Sequence, residues 1–160
     1  MNVKYEALLL HDKNITQDII NMAIEVLKKV NIKVSDVKEI SIERFEYDEE
    51  RKQYNGKDIL YKLTEENEQV IIIIISDDIY LPGLNYVIGL FRENDGALIS
   101  TYRLQTKEQI KKKILHESGH LLGLGHCNNH CIMKYAESPD DIARLPFEFC
   151  ISCSKKIGLG

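Results

Sequence analysis

The sequence predicts an α/β fold, a sandwich of helices on a mixed β-sheet, because strand and helix patterns alternate up to residue 75 and a hairpin and a long helix follow. The first apolar run, residues 3–10, is typical of a strand. Asn14 or Thr16 then offers an N-cap to a helix with one apolar face. The β-branched run Val70–Ile75 is typical of a central strand covered on both faces. A length of 160 residues favours a single domain.

The other elements are predicted from the same kinds of pattern. Before the central strand they are a strand at 33–42, a polar surface loop at 43–55 and a helix at 57–67. After it, residues 86–92 and 97–104 flank Asn94-Asp95-Gly96, and Asp-Gly is a strong signal for the turn of a β-hairpin. The last two predicted elements are helices, one at 107–122 behind the N-cap Thr106 and one directly after Ser138-Pro139.

Composition and charge limit the partners. A net charge of −4 and a pI near 5.8 argue against a basic surface that binds nucleic acid. The longest apolar run, Val70–Ile75, is far shorter than the roughly 18 residues that a membrane helix needs. The N-terminus lacks the basic and apolar segments of a signal peptide. We therefore expect a cytoplasmic monomer that binds neither nucleic acid nor membranes.

The cysteines are concentrated at one end of the chain. All four lie in the last 34 residues, and a reducing compartment favours metal binding over two disulfides. Two close pairs separated by residues 132–149 are the usual layout of a tetrahedral zinc site with four cysteine ligands. His130 is a lesser candidate that would replace one thiolate. The four expected ligands are Cys127, Cys131, Cys150 and Cys153.

A second metal site is predicted from the stretch HESGHLLGLGH at residues 116–126. His116 and His120 share one face of the predicted helix with Cβ atoms about 6 Å apart, so both imidazoles can reach one zinc ion. Glu117 lies one residue further round, near a zinc-bound water. Gly123 can take the positive φ that ends a helix, which lets His126 return as a third ligand. Three protein ligands leave a position open for water, the pattern of a catalytic zinc.

These residues resemble the metzincin metalloproteases, and Met133 fits the methionine turn that lies beneath their zinc site. The interleaved cysteines make the chain similar to the archaemetzincins in particular, whose signature continues with Cys, Cys-x-Met and Cys-x-x-Cys. Three residues separate Cys127 from Cys131, and sixteen separate Met133 from Cys150. Both gaps are about one residue shorter than in the usual archaemetzincin pattern.

The resemblance implies a metzincin-like α/β (α+β) fold with a twisted mixed β-sheet, an edge hairpin, an active-site helix and a short zinc-clamped C-terminal part. It implies one catalytic domain over residues 1–160. Residues 1–125 would form an N-terminal subdomain with the sheet and the active-site helix, and 126–160 a C-terminal subdomain with the methionine turn and the four-cysteine site. Two zinc ions per chain are implied. Their ligands would be His116, His120 and His126 for the catalytic ion and the four cysteines for the structural ion.

The function implied is zinc-dependent hydrolysis of peptide bonds in a peptide or flexible polypeptide. Glu117 would be the general base that activates the zinc-bound water and then protonates the leaving amine. Tyr135 is a tentative second catalytic residue that would stabilise the oxyanion, although a half-buried packing role is favoured for it. The strand at 86–92 could pair with an extended substrate or be an ordinary paired strand.

Other functions and roles remain open at this stage. A zinc-stabilised peptide-binding module without turnover would have the same ligands. A deformylase-type amidase needs an upstream cysteine ligand, and none precedes Cys127. A thermolysin-like site would take Glu137 or Glu148 in place of the preferred His126. The arginines expected to be solvated charges are Arg92, Arg103 and Arg144.

Overall fold

The computed structural model describes residues 3–159, which form eight strands and five helices. In chain order the elements are β1 (Tyr5–His11), α1 (Gln17–Lys28), β2 (Ile32–Glu39), β3 (Tyr47–Asp48), β4 (Gln53–Asn55), α2 (Gly56–Glu66), β5 (Val70–Ile75), β6 (Ile79–Tyr80), β7 (Gly89–Arg92), β8 (Gly96–Ser100), α3 (Lys107–Leu121), α4 (Pro139–Arg144) and α5 (Ile151–Lys156).

Five strands form the main sheet in the order β2-β1-β5-β8-β7. The first four pair in parallel, with Ala7 opposite Val70 and Ile71 opposite Gly96. The edge strand β7 runs antiparallel to β8. Every residue of β5 is buried, as expected for a central strand covered on both faces. The predicted α/β class and mixed sheet are confirmed.

The sheet has a hydrophobic core on each face, because successive side chains of a strand point to opposite sides. On one face Leu9 and Ile72 belong to a core that includes residues of α1, α3 and the C-terminal segment. On the other face Leu8 and Ile71 belong to a core that includes residues of α2. The helix that carries the histidines therefore shares its core with the segment that carries the cysteines.

Side-chain caps determine where the helices begin. Thr16, one of the two N-caps predicted for α1, accepts a hydrogen bond from the backbone N–H of residue 19. Asn55 caps α2 in the same way. Thr106 and Gln109 form a capping box at the start of α3, with each side chain accepting from the other's backbone. The predicted short helix α4 is also confirmed, with Ser138 as its N-cap.

Residues 43–55 are not simply a surface loop. They contain β3 and β4, which join β6 in a second, three-stranded sheet. The rings of Tyr47 and Tyr54 lie 4.7 Å apart, and the buried Gln53 donates a hydrogen bond to Asp78. Strands of two or three residues are too short to show an alternating pattern, which is why the prediction was wrong here.

The predicted hairpin is present, but its strands are shorter than expected. β7 has four residues and β8 has five, and Asn94 takes a positive φ of 65° in the turn. β8 ends at Ser100, which pairs with Ile75, the last residue of β5. The chain then turns, with the Leu104 N–H donating to the carbonyl of Thr101.

Two of the three arginines expected to be solvated are engaged with other groups. Arg103 bonds the buried carboxylate of Asp78 at 2.7 and 3.0 Å. Arg92 donates to the hydroxyl of Thr64 at 2.9 Å. Both partners lie more than twenty residues away in sequence, so local patterns do not reveal them. Arg144 is exposed, as predicted.

Among residues 3–159, no helix is both long and apolar enough to cross a bilayer.

Candidate metal centres and active-site cleft

Helix α3 brings two of the predicted ligands together. His116 and His120 are both buried, and their Nε2 atoms lie 3.1 Å apart. A tetrahedral zinc ion with Zn–N bonds of about 2.0–2.1 Å would hold two ligand atoms about 3.3 Å apart. The pair therefore fits a single zinc ion.

Backbone carbonyls hold both rings in the tautomer that a metal requires. His116 Nδ1 lies 2.7 Å from the carbonyl oxygen of Ile132, and His120 Nδ1 lies 2.7 Å from that of Leu124. A carbonyl only accepts hydrogen bonds, so each Nδ1 carries the proton and each Nε2 keeps a free lone pair. Such carbonyl partners orient the metal ligands of many zinc sites.

The third histidine returns to the site after the helix ends. Gly123 has a φ of +100°, the left-handed conformation that the sequence predicts for this position. The ring centroid of His126 then lies 5.6 Å from that of His116 and 4.8 Å from that of His120. One nitrogen from each of the three rings falls within 4.8 Å of the other two.

The local electrostatics favour neutral imidazoles. Burial lowers the pKa of His116 to about 4. Burial, together with the neighbouring His120, also lowers the pKa of His126. Both rings are therefore unprotonated at neutral pH, the form that binds zinc.

Glu117 lies beside the three histidines and is ionised. Burial alone would raise the pKa of its carboxyl group, but the ammonium group of Lys113 lowers it, and the resulting pKa lies below the ordinary value. Lys113 Nζ lies 2.9 Å from Glu117 Oε2. A carboxylate in this position can accept a proton from water.

The four cysteines also converge. Their Sγ atoms all lie within 4.8 Å of one another, and those of Cys127 and Cys150 are 3.8 Å apart. Zn–S bonds of about 2.3 Å in a tetrahedron place sulfur atoms about 3.8 Å apart. The cysteines are not joined in disulfides, and His130 is not part of the cluster. The four-cysteine group therefore fits a closed, structural zinc site.

The four thiols differ in how readily they lose their protons, and hydrogen bonds favour the thiolate of Cys150. The backbone N–H of Cys153 lowers the pKa of Cys150 to about 6, assisted by the side-chain amide of Asn129. Cys150 also serves as the N-cap of α5, a helix that the sequence does not predict because cysteine is not a usual cap. Burial raises the pKa of Cys131 and Cys153, so these thiols need a bound cation to lose their protons at neutral pH.

Met133 packs directly against helix α3. It is fully buried, and a Cβ atom added at Gly119 would overlap its Sδ atom. The absence of a side chain at position 119 thus allows Met133 to approach α3 between His116 and His120.

Gly119→Ala is expected to reduce the free energy of unfolding by about 1–3 kcal/mol, because the added methyl group overpacks the contact with Met133. Chemical denaturation of the zinc-loaded protein measures this change. Gly125→Ala is the matched control, because a Cβ atom there would meet nothing within 4 Å. Equal stabilities of the two variants would contradict the proposed close contact.

The histidines and Glu117 line a cleft of about 790 Å³. One side of the cleft is formed by residues 84–91, which precede and include most of β7. Residues 135–138 and Asp141 form the opposite side. Phe91, on the edge strand, stacks on His120 with ring centroids 4.4 Å apart and an interplanar angle of 15°. The edge strand therefore borders the metal centre directly.

Tyr135 stands at the mouth of this cleft. Its side chain is 60% exposed, and its ring centroid lies 5.1 Å from that of His126. The hydroxyl group donates to Glu137 Oε2 at 2.7 Å, and this hydrogen bond raises the pKa of Tyr135. This is not the half-buried packing position that the sequence favours.

Neither Glu137 nor Glu148 belongs to the cluster of metal-binding groups, so the thermolysin-like ligand set has no support.

Comparison with known proteins identifies the family. The model of peptidase family M54 matches residues 7–158. The chain belongs to this family, the archaemetzincins. The archaemetzincin of Nanoarchaeum equitans is 38% identical over 138 residues, which are 86% of this chain and 81% of that protein. The archaemetzincin of Archaeoglobus fulgidus is 37% identical over 118 residues, covering 69% and 72% of the two chains.

Solved archaemetzincins have the same fold. The crystal structure from Methanopyrus kandleri superposes with a TM-score of 0.85 at 27% identity, covering 96% of this chain and 94% of that one. The malonate complex of the Archaeoglobus fulgidus protein superposes with a TM-score of 0.80 at 29% identity, covering 94% and 99%.

As an archaemetzincin, the protein is a zinc metallopeptidase that acts on peptides. Its three-histidine and four-cysteine groups account for two zinc ions, as the sequence predicts. Three contacts at the site were not predicted from the sequence: Lys113 with Glu117, Phe91 with His120, and Tyr135 with Glu137. Of these contacts, only the one between Lys113 and Glu117 could have been predicted, because residues four apart lie on the same face of a helix.

Proposed function

We propose that His116, His120 and His126 hold the catalytic zinc ion and that Glu117 is the general base of peptide-bond hydrolysis. The observation that carries this proposal is the convergence of three imidazole nitrogens beside an ionised, buried carboxylate in an open cleft. The four-cysteine group is proposed to hold the structural ion. Met133 is proposed to form the methionine turn that lies beneath the three histidines.

Glu117 performs the proton transfers. When bound, zinc polarises the scissile carbonyl and lowers the pKa of a coordinated water. The ion pair with Lys113 is formed by Glu117 Oε2, which leaves Oε1 as the oxygen that accepts the proton of the attacking water. The same carboxyl group then donates this proton to the departing amine, which restores the carboxylate for the next cycle.

The substrate is proposed to lie extended along β7. β7 pairs with β8 along only one of its two edges, and residues 87–91 line the cleft. An extended peptide can add to such an edge through backbone hydrogen bonds, with its side chains pointing alternately into the cleft and away from it. Leu84 and Phe91 are exposed apolar residues on this side and would contact apolar side chains of the peptide.

Tyr135 is proposed to assist by donating a hydrogen bond to the oxyanion. Tyr135→Phe is expected to lower kcat by up to about 10²-fold, because the lost hydroxyl group no longer stabilises the developing charge. Steady-state kinetics with a cleaved peptide measures the change, and Tyr102→Phe is the matched control because Tyr102 is similarly exposed. An unchanged kcat in Tyr135→Phe would leave Tyr135 as a surface residue.

The remaining proposals concern the chain as a whole. Residues 1–125 and 126–160 are proposed to act as two subdomains of one domain, since one hydrophobic core includes residues of both parts. The protein is proposed to be a monomer. A reducing, cytoplasmic location is proposed because the four zinc-binding thiols must not oxidise to disulfides.

The proposed function is tested by incubating the zinc-loaded protein with a diverse peptide library and identifying new termini by mass spectrometry. We expect cleavage that depends on zinc and on Glu117. The absence of any Glu117-dependent cleavage would contradict the proposed role and favour a zinc-stabilised peptide-binding module instead.

A further inference from the structure

A buried lysine of the cleft has no role in the chemistry described so far. Lys113 precedes Glu117 by one helical turn, and its Nζ atom lies 2.9 Å from Glu117 Oε2. The side chains of Lys113 and Glu117 are only 8% and 4% exposed. Both residues line the cleft beside His116. This is therefore a buried ion pair inside the active site rather than a solvated pair on a helix surface.

We propose that Lys113 is a positioning residue that holds the carboxylate of Glu117 in the orientation needed to accept a proton. The inference rests on the proposed role of Glu117 as general base. Stability alone does not explain the pair, because the cost of removing two charges from water commonly equals or exceeds their attraction. A function that needs one defined carboxylate orientation does explain it.

The pair distinguishes the two oxygens of the carboxylate. Lys113 Nζ lies 2.9 Å from Oε2, which leaves Oε1 as the oxygen that faces the proton transfer. A glutamate side chain can otherwise rotate about three bonds, so a fixed ammonium group removes orientations in which Oε1 turns away from the attacking water. Lys113 thus acts on the reaction through Glu117 and need not contact the substrate.

The edge strand β7 packs closely against the Lys113–Glu117 pair. A Cβ atom added at Gly89 would lie 2.6 Å from Glu117 Oε2, 2.8 Å from Glu117 Cγ and 2.8 Å from Lys113 Cε. Only glycine lets the backbone of β7 approach so closely. This contact restricts both side chains and limits the access of water, which strengthens the attraction between the charges. The strand proposed to bind the peptide therefore also fixes the general base.

The neighbouring lysine shows that burial on α3 does not by itself create this arrangement. Lys112 is 9% exposed, close to the 6% of Lys113. Its Nζ atom donates to the backbone carbonyl of Ala143 at 2.8 Å and does not contact Glu117. Lys112 therefore provides a matched control, a buried lysine whose replacement removes a hydrogen bond but leaves the general base untouched.

The experiment compares Lys113→Met with Lys112→Met in the zinc-loaded protein. We expect Lys113→Met to lower kcat by about 10- to 100-fold, the scale of a misplaced catalytic group, with KM within about twofold of wild type. Both variants should keep two zinc ions per chain, and Lys112→Met should keep the wild-type kcat. Gly89→Ala is a second route to the same defect, because it displaces the pair without removing a charge, and should also lower kcat.

Crystal structures of the zinc-loaded wild type and Lys113→Met provide a readout that does not depend on turnover. We expect the Glu117 carboxylate to be displaced or spread over several conformers in the variant. An unchanged, well-ordered carboxylate would overturn the inference, and so would a wild-type kcat in Lys113→Met or an equal loss in Lys112→Met. If the wild type shows no Glu117-dependent cleavage, the proposed function fails, and the carboxylate position alone decides the role of Lys113.

Discussion

Glu117→Gln is expected to reduce the rate of peptide-bond hydrolysis by about 10²- to 10⁴-fold, the usual contribution of a general base. Glutamine has nearly the same shape as glutamate but cannot accept a proton at neutral pH. The catalytic zinc should remain bound, because backbone carbonyls rather than Glu117 hold the rings of His116 and His120. Turnover of a cleaved peptide and zinc content per chain measure the two effects separately.

Two controls make this result specific. Glu148→Gln changes an exposed glutamate outside the cleft, so the variant should retain activity and zinc. Thermal unfolding of Glu117→Gln is also required, since the variant leaves Lys113 without its charged partner and such a loss commonly destabilises a protein by about 3–5 kcal/mol. Wild-type turnover by folded, zinc-loaded Glu117→Gln would remove Glu117 from the role of general base.

The metal-binding groups could be predicted because their geometry is encoded locally. Residues four apart on a helix share a face, so His116 and His120 follow from the helical pattern alone. The positive φ at Gly123 and the return of His126 follow from a glycine placed where a helix ends. The close cysteine pairs predict a four-cysteine group in the same way, because zinc sites have few characteristic spacings.

Contacts between distant segments were not predictable from local patterns. The sequence around Arg103 is typical of a solvated surface charge, whereas in the fold Arg103 pairs with the buried Asp78. The two short strands within residues 43–55 belong to a sheet that also includes β6, about 25 residues later. No sequence pattern indicates that Gly89 packs against the Lys113–Glu117 pair or that Phe91 stacks on His120. Both contacts depend on how β7 lies against α3.

The two zinc sites are linked both along the chain and through contacts of the fold. Cys127 directly follows His126, a ligand of the proposed catalytic site. Cys131 precedes Ile132, whose carbonyl oxygen orients His116, and Met133, which packs against Gly119. We therefore expect a change in the four-cysteine group to displace the three histidines that are proposed to bind the catalytic zinc.

Cys153→Ser is consequently expected to remove the structural zinc ion and to disorder the C-terminal segment. This segment has only two helices of six residues each among its described residues, so it has little regular structure of its own. Structural zinc contributes on the order of 10 kcal/mol to the folding of small zinc-binding peptides. That is comparable to the whole stability of many domains, about 5–15 kcal/mol.

Elemental analysis and limited proteolysis test this expectation together. Cys153→Ser should bind at most one zinc ion, become sensitive to protease after residue 126 and lose peptidase activity through the displaced His126 and Ile132 carbonyl. His130→Ala is the matched control, because His130 lies between Cys127 and Cys131 in sequence but outside the cluster, and should keep two zinc ions and full activity. Two retained zinc ions in Cys153→Ser would show that Cys153 is not a ligand. Retained activity after loss of the second ion would instead show that the catalytic histidines do not depend on the four-cysteine site.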